Sequence, residues 1–307
     1  MNRMRAGALF VVTSLGCWAG PASAQDDLYG AGAAPASASS GASSAAGADP
    51  ARPPELEVSL EVGLGGSSEQ RPFDSEVSWF GVATTLRGRF RLAERVQGRA
   101  AWSFPYGSVS MNTPLGDDSD SKLTAGNPFV GAWYLLPMKE RLLRLGGGVA
   151  MPVASADTDV AAAALQMAAA MHGLYDAWLW MAETTSIVLG ADYRGRAGGN
   201  LLASAGADLA VMVPSGGRSG DTEVFLQWRA GLAFVSGAAQ FGLRLLSAWL
   251  PNSETFQLSL RPFFEYVFSE FFVRAALHLN LDEPHGFSFD EGIRKTWGLL
   301  LTAGYRR

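Results

Sequence analysis

Trp297-Gly298-Leu299-Leu300-Leu301-Thr302-Ala303-Gly304-Tyr305-Arg306 decides the reading of the whole chain. Trp297, Leu299, Leu301, Ala303 and Tyr305 fall on one face of an extended strand; Gly298, Thr302, Gly304 and Arg306 fall on the other, with Leu300 the exception. Side chains of a strand point alternately to its two faces, so this segment has one apolar face and one small or polar face.

The same period of two runs back to Leu56. Leu56, Val58, Leu60, Val62 and Leu64 oppose Glu57, Ser59, Glu61, Gly63 and Gly65. Phe80, Val82, Leu86, Phe90 and Leu92 oppose Arg87, Arg89 and Arg91; Val96, Ala100, Trp102, Phe104 and Tyr106 oppose Gln97, Arg99 and Ser103. Comparable segments lie near 123–136, 142–153, 186–194, 201–213, 223–235, 239–249, 256–268 and 271–281, twelve in all.

The connections alternate too. Short turns at Ala93-Glu94-Arg95, Pro137–Glu140, Gly195–Asn200, Ser236-Gly237 and Ser269-Glu270 are interleaved with mostly longer ones, of which 154–185 is the longest and Pro251–Thr255 is compact. Membrane-spanning barrels have this plan, with an even strand number, short periplasmic turns and longer outer loops. A bilayer also forces closure, because hydrocarbon tolerates no unpaired strand edge.

Aromatic residues on the apolar face gather in two rims: Phe90, Tyr193, Phe234, Phe241, Tyr266, Phe271 and Tyr305 at one end, and Trp102, Phe104, Tyr106, Trp249, Phe256 and Trp297 at the other. Such rims mark membrane interfaces. The chain has 36 glycines and only three lysines (Lys122, Lys139 and Lys295), so no lysine-bearing solvated face exists. A secreted soluble β-sandwich would alternate as well, but it gives no reason for two rims or for scarce lysine. The expected fold is all-β: a transmembrane antiparallel up-and-down β-barrel of about 12 strands, with one short helix in the long loop between strands 5 and 6.

Ahead of the barrel, Arg3 and Arg5, the apolar run Ala6–Gly20 and Pro21-Ala22-Ser23-Ala24 form a secretory signal at 1–24. A lipoprotein reading would acylate Cys17, but Ser14 stands where a lipobox wants leucine. Cleavage removes the only cysteine and takes the formal charge from −5 to −7, which argues against nucleic acid as a partner. Residues 25–54, rich in Ala, Ser, Gly and Pro, read as a disordered leader, and 55–307 as one barrel domain.

Signal, leader, alternating strands and an aromatic-bearing last strand resemble bacterial outer-membrane β-barrels over Leu56–Arg307. Gly126-Asn127-Pro128-Phe129-Val130-Gly131-Ala132-Trp133-Tyr134 and Leu145-Gly146-Gly147-Gly148-Val149-Ala150-Met151-Pro152 are similar to stretches of transporter-like barrels for small or hydrophobic compounds. The resemblance implies Sec-type export, an integral outer-membrane location, contact with outer-membrane lipids, and insertion by the barrel-assembly machinery. One departure is that Arg306-Arg307 follows Tyr305, whereas many such barrels end on an aromatic residue.

The inner face is rich in arginine: Arg87, Arg89, Arg99, Arg144, Arg194 and Arg274 toward the periplasmic half, and Arg229, Arg244 and Arg261 near mid-height on three successive strands. Two readings stand. Rings of arginine favour anions in a pore; alternatively Glu57, Glu61, Asp192, Asp208, Glu223 and Glu265 pair with them and the lumen is packed. In the long loop, Asp157-Thr158-Asp159 reads as a helix N-cap and Gly173 as a stop. Between them Val160 to Met171 is nearly all Ala, Leu and Met, with Val160, Leu165, Met167 and Met171 its large apolar residues. A helix this apolar avoids water: it packs across the outer mouth, folds into the lumen as a plug, or lies on neighbouring loops. Asp176, Trp178, Trp180 and Glu183 are then read as leading back to a strand at the membrane interface.

Three scattered histidines (His172, His278 and His285) and no cysteine in the mature chain suggest neither a metal centre nor a cofactor. No Ser sits beside a His at a spacing that suggests a hydrolase, and His278 reads as a hydrogen-bonding residue of the lumen. The expected function is a channel or passive transporter for small solutes, anion-favouring through the arginines. The rival readings are a non-conducting structural or surface-interaction barrel and, behind it, a lipid-modifying enzyme.

Overall fold

The computed structural model describes residues 53–71, 75–113, 116–215, 221–282 and 296–307; the signal, nearly all of the leader and His285 lie outside them. The alternating segments form strands β1 (Leu56–Arg71), β2 (Ser75–Ala93), β3 (Val96–Thr113), β4 (Gly116–Leu123), β5 (Phe129–Met138), β6 (Arg141–Ala150), β7 (Thr184–Gly198), β8 (Leu201–Pro214), β9 (Glu223–Ser236), β10 (Ala239–Leu250), β11 (Thr255–Phe268), β12 (Phe271–Asn280) and β13 (Trp297–Arg306).

Each wall strand pairs antiparallel with its sequence neighbour, and β13 closes the circuit by pairing with β1 from Glu57↔Arg306 to Gly66↔Trp297. The N–H groups of Glu55 and Leu56 both donate to Arg307 O, so the two ends of the barrel domain meet. β4 stands outside the circuit. It pairs with the outer part of β3, while β3 joins β5 only through Val96–Ala101. Among the described residues the wall therefore has twelve strands.

Five two-residue turns, Glu94-Arg95, Lys139-Glu140, Gly199-Asn200, Gly237-Ala238 and Ser269-Glu270, lie at one end. Positive φ at Lys139, Gly199, Gly237 and Ser269 matches the twist that tight hairpins need. This end is the periplasmic one.

Three local expectations change. The connection 107–122 counts among the longer loops by sequence, yet 116–122 form β4 with Leu123, because Asp, Ser and Lys on an edge strand above the membrane can face water on both sides. The extra strand places helix α1 (Asp159–Met171) between β6 and β7 rather than between the fifth and sixth strands. The fourth wall strand begins at Phe129, not at 123, since Pro128 withholds a ladder donor.

The outward face is apolar throughout. Leu60, Leu86, Leu189, Leu232, Leu243 and Leu301 are exposed, flanked by Phe90, Phe234, Phe241, Tyr266 and Phe271 on the periplasmic side and Trp102, Trp249 and Phe256 on the other. A belt this continuous faces hydrocarbon. Inside, α1 and the 3-10 turn Ala177–Leu179 join Phe129, Trp133, Met212, Phe225 and Leu250 in an apolar outer zone. The buried arginines and carboxylates lie mainly on the periplasmic side of it.

Candidate functional site

α1 starts where its cap predicts. Thr158 Oγ1 accepts from Ala161 N at 3.2 Å, and Asp159 sits in the first turn against the positive end of the dipole. Lys122 Nζ donates to Asp157 Oδ1 at 2.7 Å, tying β4 to the helix start, and that hydrogen bond holds the Asp157 carboxyl below its ordinary range. The helix stops at Gly173, whose φ of 65° lets the chain turn away.

The segment folds into the lumen. Leu165, Met167 and Met171 are buried in the outer apolar zone, and Val160 is half-buried at the mouth. α1 packs on the inner faces of β1, β2, β3, β4 and β13. Close approach depends on glycine: a Cβ at Gly107 would sit 2.7 Å from Ala164 Cα, and one at Gly298 would collide with Met171 O. Gly107→Leu is therefore expected to unseat α1 without opening the wall. Limited proteolysis should then cut within 159–183, with the heat-modifiable gel mobility of a folded barrel retained.

Polar side chains of the wall hold the segment beyond the helix. Asn280 Nδ2 donates to Ala170 O at 3.2 Å and Arg261 Nη2 to His172 O at 3.3 Å. Arg87 Nη1 donates to Asp176 Oδ2 at 2.8 Å, and Trp180 Nε1 to Ser103 Oγ at 2.9 Å. Asn127 is the densest tether: Nδ2 donates to Trp178 O (2.9 Å) and Met181 O (2.7 Å), while Oδ1 accepts from Ala154 N (2.7 Å). Asp176, Trp178 and Trp180 are thus buried inside the barrel, not at the membrane interface where the sequence placed them. A peptide this apolar finds its shelter inside the wall.

The two described histidines sit in different networks. The two nitrogens of His172 lie against Ala168 O at 2.7 Å and Glu61 Oε1 at 3.3 Å. His278 Nδ1 accepts from Arg261 (3.0 Å from Nε), and Nε2 donates to Asn280 Oδ1 at 3.2 Å, as Ser259 Oγ does at 2.9 Å. Ser259, His278 and Asn280 are brought together although the sequence spacing did not suggest it.

All eight candidate arginines are buried on the inner face. Arg87 pairs with Glu61 and Asp176, and Arg89 with Glu57. Arg99 pairs with Asp192, Arg229 with Asp192 and Asp208, and Arg274 with Glu265. Arg244 and Arg261 stand opposite each other on β10 and β11; Arg244 lies over the Phe263 ring at 4.8 Å. Arg144 and Arg194 are buried on β6 and β7, and Arg306 bridges Glu57 and Glu265. Glu223, expected among the neutralising carboxylates, instead accepts from Asn252 N at the compact outer turn, because it lies at the mouth end of β9.

Among the described residues the buried interior holds ten arginines (87, 89, 99, 144, 194, 229, 244, 261, 274 and 306) and six carboxylates (57, 61, 176, 192, 208 and 265), a formal excess of four positive charges. Among the spaces left in the lumen, one is lined by Arg87, Arg89, Arg99, Trp133, Trp178 and Asp208, and another by Glu61, Arg244, Arg261, Phe263, Arg274 and Thr302.

No protein-family model matches the sequence, and no curated protein matches it. Among solved structures, an outer membrane channel from Pseudomonas putida F1 is similar over 83% of this chain and 96% of that one, at 14% identity and a TM-score of 0.51. The NanC porin is similar over 81% and 100% at 9% identity and a TM-score of 0.46. The translocator domain of the autotransporter NalP from Neisseria meningitidis is similar over 82% and 88% at 13% identity and a TM-score of 0.44. With its closed wall, apolar outer belt, two aromatic rims and a fold shared with an outer membrane channel, this protein is an integral β-barrel of the bacterial outer membrane.

Proposed function

We propose that the protein is a channel or passive transporter for small anionic solutes, held shut at rest by its own segment 159–183. The observation that carries this reading is the excess of four positive charges among the buried groups of the lumen. A low-dielectric wall lined by one sign of charge concentrates the opposite ion, and rings of arginine set anion selectivity in pores. A twelve-strand wall lies between the eight-strand barrel that its own side chains fill and the sixteen-strand barrel that leaves an open channel. Here the inserted helix takes up the spare width.

The test is selectivity. Arg244→Glu together with Arg261→Glu removes two positive charges and adds two negative ones, which cancels the excess of four. In planar bilayers under a KCl gradient, the double substitution made in the barrel lacking 159–171 should move the reversal potential from the anion side toward zero or beyond. An unchanged potential would mean that these arginines only pack the lumen. A second reading, a non-conducting structural barrel, draws on the density of tethers around Asn127 and on the close glycine seats of α1. It requires that the barrel stay silent even when the plug is removed.

A further inference from the structure

Asp176 is the one buried carboxylate, of the six, that the plug rather than a wall strand brings into the lumen. Its φ is 73°, a left-handed conformation that aspartate tolerates better than most residues, whereas Leu174, two residues before it, is held at a φ of 60°, which is costly for a residue with a Cβ. Oδ2 accepts from Arg87 at 2.8 Å, while Oδ1 is buried with no hydrogen-bond partner among the described residues. Beside this pair lies a cavity where Arg89 and Arg99 supply further guanidinium groups and Phe129, Trp133, Trp178 and Val188 supply apolar wall. The indole N–H of Trp133 is also buried with no acceptor among the described residues.

We infer that Arg87 and the adjoining cavity form a binding site for a small organic monocarboxylate, and that Asp176 occupies its charged end at rest as a built-in stand-in for the solute. This rests on the channel reading and deepens it, since the plug then closes the pore by mimicking what the pore carries. A carboxylate entering the cavity takes over the Arg87 guanidinium in the bidentate geometry such pairs favour. Its apolar body lies against Trp133, Trp178 and Phe129, and its second oxygen has the Trp133 N–H to accept from. Displaced from Arg87, Asp176 loses its side-chain tie to the wall, and this part of the segment is freed to move. Occupancy by the internal carboxylate lowers the apparent affinity for the external one by the fraction of time the site is free.

The experiment is calorimetric titration of sodium butyrate, with neutral butyramide as control, into the detergent-solubilised full-length barrel. Asp176→Asn preserves shape and removes the competing charge, so butyrate should bind on the order of tenfold more tightly than to the unaltered protein. Adding Arg87→Gln should abolish that gain, and butyramide should show no gain at all. Asp176→Ser serves as a second variant, and heat-modifiable gel mobility reports folding of each. Equal butyrate affinity with and without the Asp176 carboxylate, or a gain that survives loss of Arg87, overturns the inference. Binding in detergent is independent of conductance, so silence of the barrel lacking 159–171 would sink the channel reading without deciding this one.

Discussion

Replacing 159–171 by a short Gly-Ser linker is expected to turn a closed or barely conducting barrel into one with discrete, larger current steps in planar bilayers. The wall does not depend on the helix: its ladders run from β1 round to β13 through backbone hydrogen bonds alone. Closure by strands is what the bilayer demands, so the shortened protein should still insert and keep its heat-modifiable mobility. What the deletion removes is Leu165, Met167, Ala164, which lies against Gly107, and Met171, whose backbone lies against Gly298. The width they occupy becomes water-filled and is bounded by the buried arginines. Unaltered current in the shortened protein would mean that the helix does not obstruct the path.

Asn127→Ala should have the largest effect of any single tether. The substitution strips the donors from two buried carbonyls, Trp178 O and Met181 O, and the acceptor from Ala154 N. Each buried group left without a partner costs about 1–3 kcal/mol, so the inserted segment should lose several kcal/mol of local stability while the wall loses little. Hydrogen exchange is the direct readout: amides of 159–183 should exchange far faster and those of β8–β11 should not change. Asn127→Asp is the informative companion. It keeps an oxygen for Ala154 N and loses both Nδ2 donors, so it should fall between the parent and the alanine variant. Uniform exchange in all three would show that Asn127 does not hold the plug.

The barrel was legible because alternation is a local property with a global consequence. Once Leu299, Leu301 and Tyr305 share a face opposite Thr302 and Gly304, the strand needs one lipid-like and one crowded neighbour, and a bilayer leaves closure as the solution. The helix was legible for the same reason, through Thr158 at its start and Gly173 at its end. The tethers were not. Asn127, Arg87 and Asn280 lie far along the chain from Trp178, Asp176 and Ala170 and reach them only when the loop enters the lumen, and no periodicity records a contact across that distance. A trace existed in Gly126-Asn127-Pro128, a polar residue set between a glycine and a proline beside an apolar strand. The extra strand β4 escaped notice because Asp117, Asp118 and Asp120 alternate with nothing apolar; hydrogen bonding to the overhang of β3, not burial, makes it a strand.

The central claim is a lipid-facing cylinder whose guanidinium-rich interior is stopped by part of its own chain. Reversal potential of the barrel lacking 159–171, recorded across a planar bilayer under a KCl gradient, tests both halves at once. An open conductance with its reversal potential on the chloride side is expected. A silent barrel, or one that conducts with a potassium-side potential, would contradict it.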